Sequence, residues 1–481
     1  MELQEVIKGI KCKVLGDSNI QIRRLVHNSD DVQEGDVFFC LRGTNVDGHD
    51  YAKLAVKKGA AVCVLEEEIK GLNCCQVIVE NSRQTMSKCA SNYFKNPSKD
   101  LVVIGVTGTN GKTTSTYLLK SVLETAGKSV AIIGTNGVIF NGQKIETNMT
   151  TPDPIILQEL LYKIKANGVE YVCMEMSAHA AHLQKLWGVM TDIILFTNLT
   201  QDHLDYFGNM ENYGNAKISL FNKKFADYAV INADDSFGRK IARITDLPYL
   251  TYSLNDKSSD IKANNIKQTN NGCSYTLNFH SSSVEIEQNL FGKFNISNCL
   301  GVIGASLLLG IDMNTIKRGI EKVNFVPGRF NVKNIAGVKY IVDYAHTPDG
   351  LENVLRAARE ICDGNLISVF GCGGDRDRTK RAIMGEVSSN LADFSIITSD
   401  NPRYENPKSI INDIISQYML DNYTTEIDRR KAIRKAADIA TPGDVVVISG
   451  KGVENYIDQN GHKRPYSDYE VLEEIESARE Y

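Results

Sequence analysis

Apolar residues along this chain fall into short runs that alternate with glycine-bearing loops and helix-like stretches. Over residues 1–98 the runs are Val37 to Leu41, Ala60 to Leu65 and Val77 to Val79, and a helix-like stretch then ends at Lys95-Asn-Pro-Ser. That order predicts a small α/β domain followed by a linker. From Leu101 the order becomes run, loop and helix, repeated at Leu101 to Val106, Val130 to Ile133, Tyr171 to Met174, Ile193 to Phe196 and Tyr228 to Ile231. Such alternation predicts a parallel sheet covered by helices. Residues from about 260 to 290 break the pattern with short polar alternating segments and Asn- and Ser-rich turns, which suits an antiparallel edge or insertion. After Pro327-Gly-Arg the alternation restarts, with runs at Tyr340 to Val342, Ile367 to Phe370, Ser395 to Thr398 and Val445 to Ile448, so a third domain is predicted from residue 328.

A length of 481 residues agrees with several domains, each with its own core. Hydrophobic residues make up 42% and charged residues 23%, and the net charge of −5 comes from mixed signs. That balance argues against a nucleic-acid coat or a membrane-surface patch. The eleven cysteines include no CxxC pair and no Cys/His run at zinc spacing, so reduced thiols are expected. No stretch approaches the roughly 18 to 20 apolar residues that span a bilayer. The reading is a soluble, untargeted, cytoplasmic monomer, with small molecules rather than nucleic acid or membrane as partners.

The chemistry begins where Leu101-Val-Val-Ile-Gly-Val leads into Thr107-Gly-Thr-Asn-Gly-Lys-Thr-Thr and then into a helix-forming stretch. In a strand, glycine-rich turn and helix of this kind, Gly108 and Gly111 let backbone N–H groups turn inward around phosphate oxygens, and Thr109, Asn110 and Thr114 are ATP-binding candidates with them. The helix N-terminus adds its dipole and Lys112 a full charge. Thr113 offers a hydroxyl to Mg²⁺. The usual loop has a glycine six residues before the lysine, where this chain has Val106.

The shortened TGTNGKTT form, early in a long three-part chain, resembles the Mur ligases and their relatives the folylpolyglutamate synthases. The resemblance implies a small N-terminal α/β domain that binds a UDP substrate (1–98), a central P-loop-type parallel sheet with helices on both faces that binds ATP (99–327), and a C-terminal Rossmann-like α/β domain that binds an amino acid (328–481). It implies that Glu175 and His203 hold Mg²⁺ and that Lys217 carries a carbamate made with carbon dioxide. Metal ions suit the chemistry, because phosphoryl transfer to a carboxylate brings anions together. Phe291-Gly-Lys-Phe-Asn-Ile-Ser-Asn resembles the family's adenine-contacting helix start, with Asn295 and Asn298 as amide readers. Arg329 is placed at the domain junction within reach of the γ-phosphate, and Asp343 beside the ribose hydroxyls.

The C-terminal motifs Val369-Phe-Gly-Cys-Gly-Gly-Asp-Arg, Ser399-Asp-Asn-Pro-Arg and Ser449-Gly-Lys-Gly-Val-Glu are similar to those of family members that add the third residue of a muramoyl peptide. Asp400-Asn401-Pro402-Arg403 is the form seen where that residue is meso-diaminopimelate. Diaminopimelate has a distal carboxylate that lysine lacks, and a guanidinium grips a carboxylate through two parallel hydrogen bonds, so Arg403 is the expected selector. Arg376 would hold a carboxylate as well, Asp400 and Glu454 would accept from an ammonium, and Gly450 would let backbone approach. For the UDP-N-acetylmuramoyl dipeptide, the resemblance points to Asn28, Ser29, Thr44, Asn45, Thr150, Thr151, Ser177 and Lys185. The chain departs from the family's usual residue at Asp30, Met149, Ala178, Lys185 and Val453. Lys185 keeps a charge but loses the fork of the usual arginine.

Overall fold

The structure is a computed structural model that describes residues 1–43, 46–269, 271–418 and 420–479. Its first sheet has five strands in the order Cys12–Leu15, Cys75–Val79, Val62–Leu65, Val37–Phe39 and Leu25–Val26. All pairs are parallel except the first. The helix Ser82–Tyr93, capped by the Asn81 side chain on the Gln84 N–H, buries Met86, Cys89 and Ala90 against this sheet.

The second sheet has eleven strands. Its central strand Val102–Thr107 lies between Tyr171–Glu175 and Thr191–Phe196, parallel to both. Val103 points into one core and Ile104 and Val106 into the other, so the strand is apolar at almost every position because both faces are covered. The C-terminal end of this strand delivers the glycine-rich loop, and Glu175 ends the neighbouring strand beside it. Ligand loops at the carboxyl ends of parallel strands are the general arrangement of such sheets. The polar segment forms strands Ile261–Thr269, Gly272–Phe279 and Ser282–Gln288; the last two are antiparallel and end one edge of the sheet. The other edge is also antiparallel, through Gly137–Phe140 and Gln143–Ile145, which the apolar runs did not foretell.

The third sheet runs Asn331–Ile335, Val338–Asp343, Val445–Ser449, Leu366–Phe370, Phe394–Thr398 and Tyr423–Glu426, parallel except for the first pair. A separate hairpin pairs Tyr456–Gln459 with His462–Pro465. Among the described residues no helix is long and apolar enough to cross a membrane.

Candidate active site

The loop after Thr107 opens the helix Lys112–Thr125. Gly111 has φ +87°, and a Cβ there would lie 2.2 Å from Oδ1 of Asn298, so only glycine lets the loop pass under the helix Lys293–Leu308. The loop is tied from the side by the segment after Phe196: the Thr109 N–H donates to the Asn198 carbonyl (2.9 Å) and the Asn110 N–H to Asn198 Oδ1 (2.9 Å). Lys112 is half-buried and donates to the carbonyls of Gly108 (2.9 Å) and Thr109 (2.8 Å). Burial lowers its pKa, opposed by the Glu175 charge.

Glu175 is buried. Its Oε1 accepts from the Thr113 hydroxyl (2.9 Å) and the Thr135 N–H (3.0 Å), and its Oε2 from the Thr135 hydroxyl (3.1 Å). Lys217, on the helix Met210–Ile218, is buried with its Nζ 2.8 Å from the Gly108 carbonyl oxygen and 4.6 Å from the centre of the Tyr213 ring. Burial and the charge of Lys112 hold its pKa well below the usual lysine range. His203 stands in the left-handed region at φ +57°, where the Asp202 carboxylate accepts its N–H at 3.0 Å. Burial pushes its imidazole pKa down to about 3.

Arg329 reaches across from the start of the third sheet's segment. Its Nη2 donates to the Thr113 hydroxyl (2.9 Å) while its guanidinium stacks 4.5 Å over the Tyr344 ring. A cavity of 260 Å³ is lined by the loop from Thr109 to Thr114 together with Glu175, His203, Asn298, Arg329 and Asp343. Thr150 and Ser177 line it too. Asp343 is buried; burial raises its pKa, while the N–H groups of Phe330 (2.7 Å) and Ala345 (2.6 Å) donate one to each carboxylate oxygen. Its carboxylate therefore shapes the turn around Arg329 as well as facing the cavity. Asn295 donates to the Phe291 carbonyl (2.9 Å) and accepts from Asn298, and it borders a second cavity of 720 Å³ walled by Phe291, Phe325, Pro327 and Phe330, which shares Arg329 with the first.

Residues that the sequence motifs did not single out join the two larger sheets at this point. Asp202 and Lys380 are both buried and form an ion pair at 3.1 Å, with His346 3.6 Å from the other Asp202 oxygen. Although burial opposes it, the neighbouring His346 and the charge of Lys380 hold the Asp202 carboxyl well below the usual range. Asp349 accepts from the Asn110 side chain at 2.8 Å. Asp202 lies next to His203 and Lys380 shortly after Arg376, but their pairing joins positions far apart in sequence and leaves no local signal.

The third sheet collects the second group of predicted residues. The loops Cys372–Arg376 and Ser399–Arg403 lie together: Arg403 donates from Nη1 to the Gly374 carbonyl at 2.6 Å, and Arg376, exposed, from its Nη1 to the Asp375 carbonyl at 2.9 Å. Arg403 stands at φ +49°, held by the backbone of Asp458 (3.0 Å) and Asn460 (2.8 Å) in the hairpin. Among the described residues neither Arg376 nor Arg403 forms an ion pair with a carboxylate. Asp400, Asn401 and Pro402 are buried behind Arg403, and a Cβ at Gly450 would lie 2.6 Å from Asp400 Oδ2.

Of the remaining predicted residues, Thr151 donates to the Glu175 carbonyl at 2.8 Å, and its hydroxyl accepts the Ser177 N–H at 3.1 Å. Lys185 pairs with Asp153 at 2.8 Å. Asn28 caps the turn Ser29–Asp31 through the Asp30 N–H (3.1 Å), away from the cavity. Thr44 and Asn45 lie outside the described residues.

Comparison with known proteins agrees with this architecture in all three parts. Residues 21–94 match the Mur ligase family catalytic domain, 106–306 the Mur ligase middle domain and 328–452 the Mur ligase glutamate ligase domain. The chain belongs to the Mur ligase family. It is 45% identical to the UDP-N-acetylmuramoyl-L-alanyl-D-glutamate–2,6-diaminopimelate ligase of Clostridium botulinum over 99% of both chains. It is 44% identical to a ligase of the same name from Clostridium acetobutylicum over 95% of each. A solved structure with that name is 31% identical, covers 100% of this chain and 99% of its own, and superposes with a TM-score of 0.72. The three-domain α/β architecture expected from the motifs is thus the fold this Mur ligase has.

Proposed function

We propose that this Mur ligase is an ATP-dependent amide ligase of peptidoglycan-precursor synthesis, which joins meso-diaminopimelate to UDP-N-acetylmuramoyl-L-alanyl-D-glutamate. The observation that carries the choice of amino acid is Arg403, held by its backbone in a strained turn with a guanidinium that pairs with no carboxylate among the described residues. A cation fixed in this way favours an incoming distal carboxylate, and Arg376 beside it offers a second. The names of relatives alike over nearly the whole chain support the same reading.

In this reading the ATP phosphates lie on the loop from Gly108 to Thr114 with Lys112, and the adenine fits between Phe291, Phe325 and Pro327 near Asn295. The side-chain carboxylate of the D-glutamate attacks the γ-phosphorus; the bond to the β-phosphate oxygen breaks, ADP leaves and an acyl phosphate forms. The free amine of diaminopimelate then attacks the acyl carbon, loses a proton, and phosphate leaves with the former carboxylate oxygen. Arg329, fixed at Thr113, offsets negative charge during both steps. No side chain acts as a covalent nucleophile, and contacts between the second and third sheets keep water from the acyl phosphate.

The donor set suits magnesium, because the Thr113 hydroxyl and Glu175 carboxylate are hard oxygen ligands brought within 2.9 Å of each other. Thr113 and Glu175, with His203 and a carbamylated Lys217, would hold it. Bound there, magnesium neutralises phosphate charge and aligns the reacting oxygens. The neutral amine that burial favours at Lys217 is the form that adds carbon dioxide. Mass spectrometry of the product formed from ATP, the UDP-muramoyl dipeptide and diaminopimelate tests the proposal: a tripeptide bearing one diaminopimelate supports it, and an unchanged dipeptide with all substrates present refutes it.

A further inference from the structure

Lys451 lies between Gly450 and Gly452 and is completely buried, although it carries an ammonium. Its Nζ is 3.0 Å from Asn401 Oδ1, 2.8 Å from the Tyr456 carbonyl oxygen and 3.4 Å from one carboxylate oxygen each of Asp400 and Glu454. An ammonium has three donors, and here all are directed inward. A buried lysine is costly unless paired, and this one is enclosed by the groups assigned above to the amino acid.

The contacts fix more than the charge. Asn401 Oδ1 accepts from Lys451 and from the Asp458 N–H (2.9 Å), so its Nδ2 must face the other way, where it donates to Glu454 Oε2 at 2.9 Å. Lys451 and Asn401 together therefore occupy Oε2. Among the described residues nothing donates to Oε1, and Glu454 is only partly buried. The arrangement presents one carboxylate oxygen outward in a fixed orientation. Asp400 and Glu454 bring two negative charges and Lys451 one positive, which leaves a charge suited to an incoming ammonium. Burial raises the Asp400 pKa, but Lys451 and then Arg429 lower it further, so Asp400 stays ionised.

We propose that Lys451 is a positioning residue for the amino-acid substrate: it orients Asn401 and Glu454 so that Glu454 Oε1 accepts the ammonium of the incoming diamino acid. This rests on the reading of Arg403 and Glu454 as the amino-acid site, and it assigns a role to a residue that touches no substrate itself.

The test uses the full-length enzyme with Lys451→Met and Lys451→Gln, the latter retaining two N–H donors without the charge. KM is measured separately for diaminopimelate, ATP and the UDP-muramoyl dipeptide, with a thermal melt of each variant. For Lys451→Met the KM for diaminopimelate rises by about ten- to a hundredfold, as expected for losing a charged hydrogen-bond network, while the KM for ATP stays within about twofold. Lys451→Gln falls between Lys451→Met and the native enzyme. In the double variant with Glu454→Gln, the effects are less than additive because both act through the same oxygen. An equal rise in all three KM values, full additivity, or loss of the folded protein in both single variants makes Lys451 a structural tie and overturns the proposal. Equal use of lysine and diaminopimelate by the native enzyme would instead overturn the choice of amino acid, and the KM of the amino acid actually used would still decide the role of Lys451.

Discussion

Lys112 and Lys217 donate to the same carbonyl oxygen, that of Gly108, at 2.9 and 2.8 Å. Two ammonium groups on one acceptor repel each other, and the neutral form of the buried Lys217 relieves that repulsion. A carbamate would reverse the sign of the side chain and attract Lys112 and a metal where the amine repels them.

For Lys217 the expected outcome is that Lys217→Ala loses activity by at least about a hundredfold, as when a group supporting transition-state charge is removed. Short-chain carboxylic acids restore part of it by supplying the missing anion. Intact-mass measurement of the native protein with bicarbonate checks for the carbamate. Full activity of Lys217→Ala without added acid contradicts the role.

Arg329 is expected to act on the rate more than on substrate binding. Its hydrogen bond to Thr113 places a guanidinium beside the phosphate loop. Arg329→Ala should lower kcat by about 10²- to 10³-fold with little change in the KM for diaminopimelate. Steady-state kinetics decide it, and a variant altered only in KM would place the arginine outside phosphoryl transfer.

How much of this was legible in the sequence depends on locality. The phosphate loop, Glu175 at a strand end and Arg403 in Asp-Asn-Pro-Arg are contiguous patterns, and the fold brings the first two together. What joins Asp202 to Lys380, Asn110 to Asp349 and Arg329 to Thr113 is packing between separate sheets, which no periodicity encodes. Asp343 was expected only to meet ribose hydroxyls, yet it also binds the N–H groups of Phe330 and Ala345, because a buried carboxylate at a strand end must satisfy its oxygens. The edge strands after Val130–Gly134 were missed because they are short and partly polar.

Arg403 should govern selectivity. Arg403→Ala is expected to reduce the ratio of kcat/KM for diaminopimelate over lysine by about a hundredfold, mainly through diaminopimelate. Competition between the two amino acids in one reaction reads the ratio directly, and an unchanged ratio removes Arg403 from the site.

The anchor of the Arg403 loop carries an acid dependence. The buried Arg381 grips Glu405 through two hydrogen bonds of 2.8 and 2.9 Å, and that contact holds the Glu405 pKa at about 2, down from 4.5. The folded pKa is depressed, so the contribution is complete above about pH 4.5 and is lost as the pH falls toward 2. Thermal melts across this window should show the native protein losing stability more steeply than Glu405→Gln. Parallel curves would contradict the assignment.

Phosphate release from ATP by the purified enzyme, with the UDP-muramoyl dipeptide and either diaminopimelate, lysine or no amino acid, tests the central claim most directly. Rapid release with diaminopimelate, and little with lysine or with none, is the predicted result. Equal release in all three mixtures, or release without the dipeptide, would contradict it.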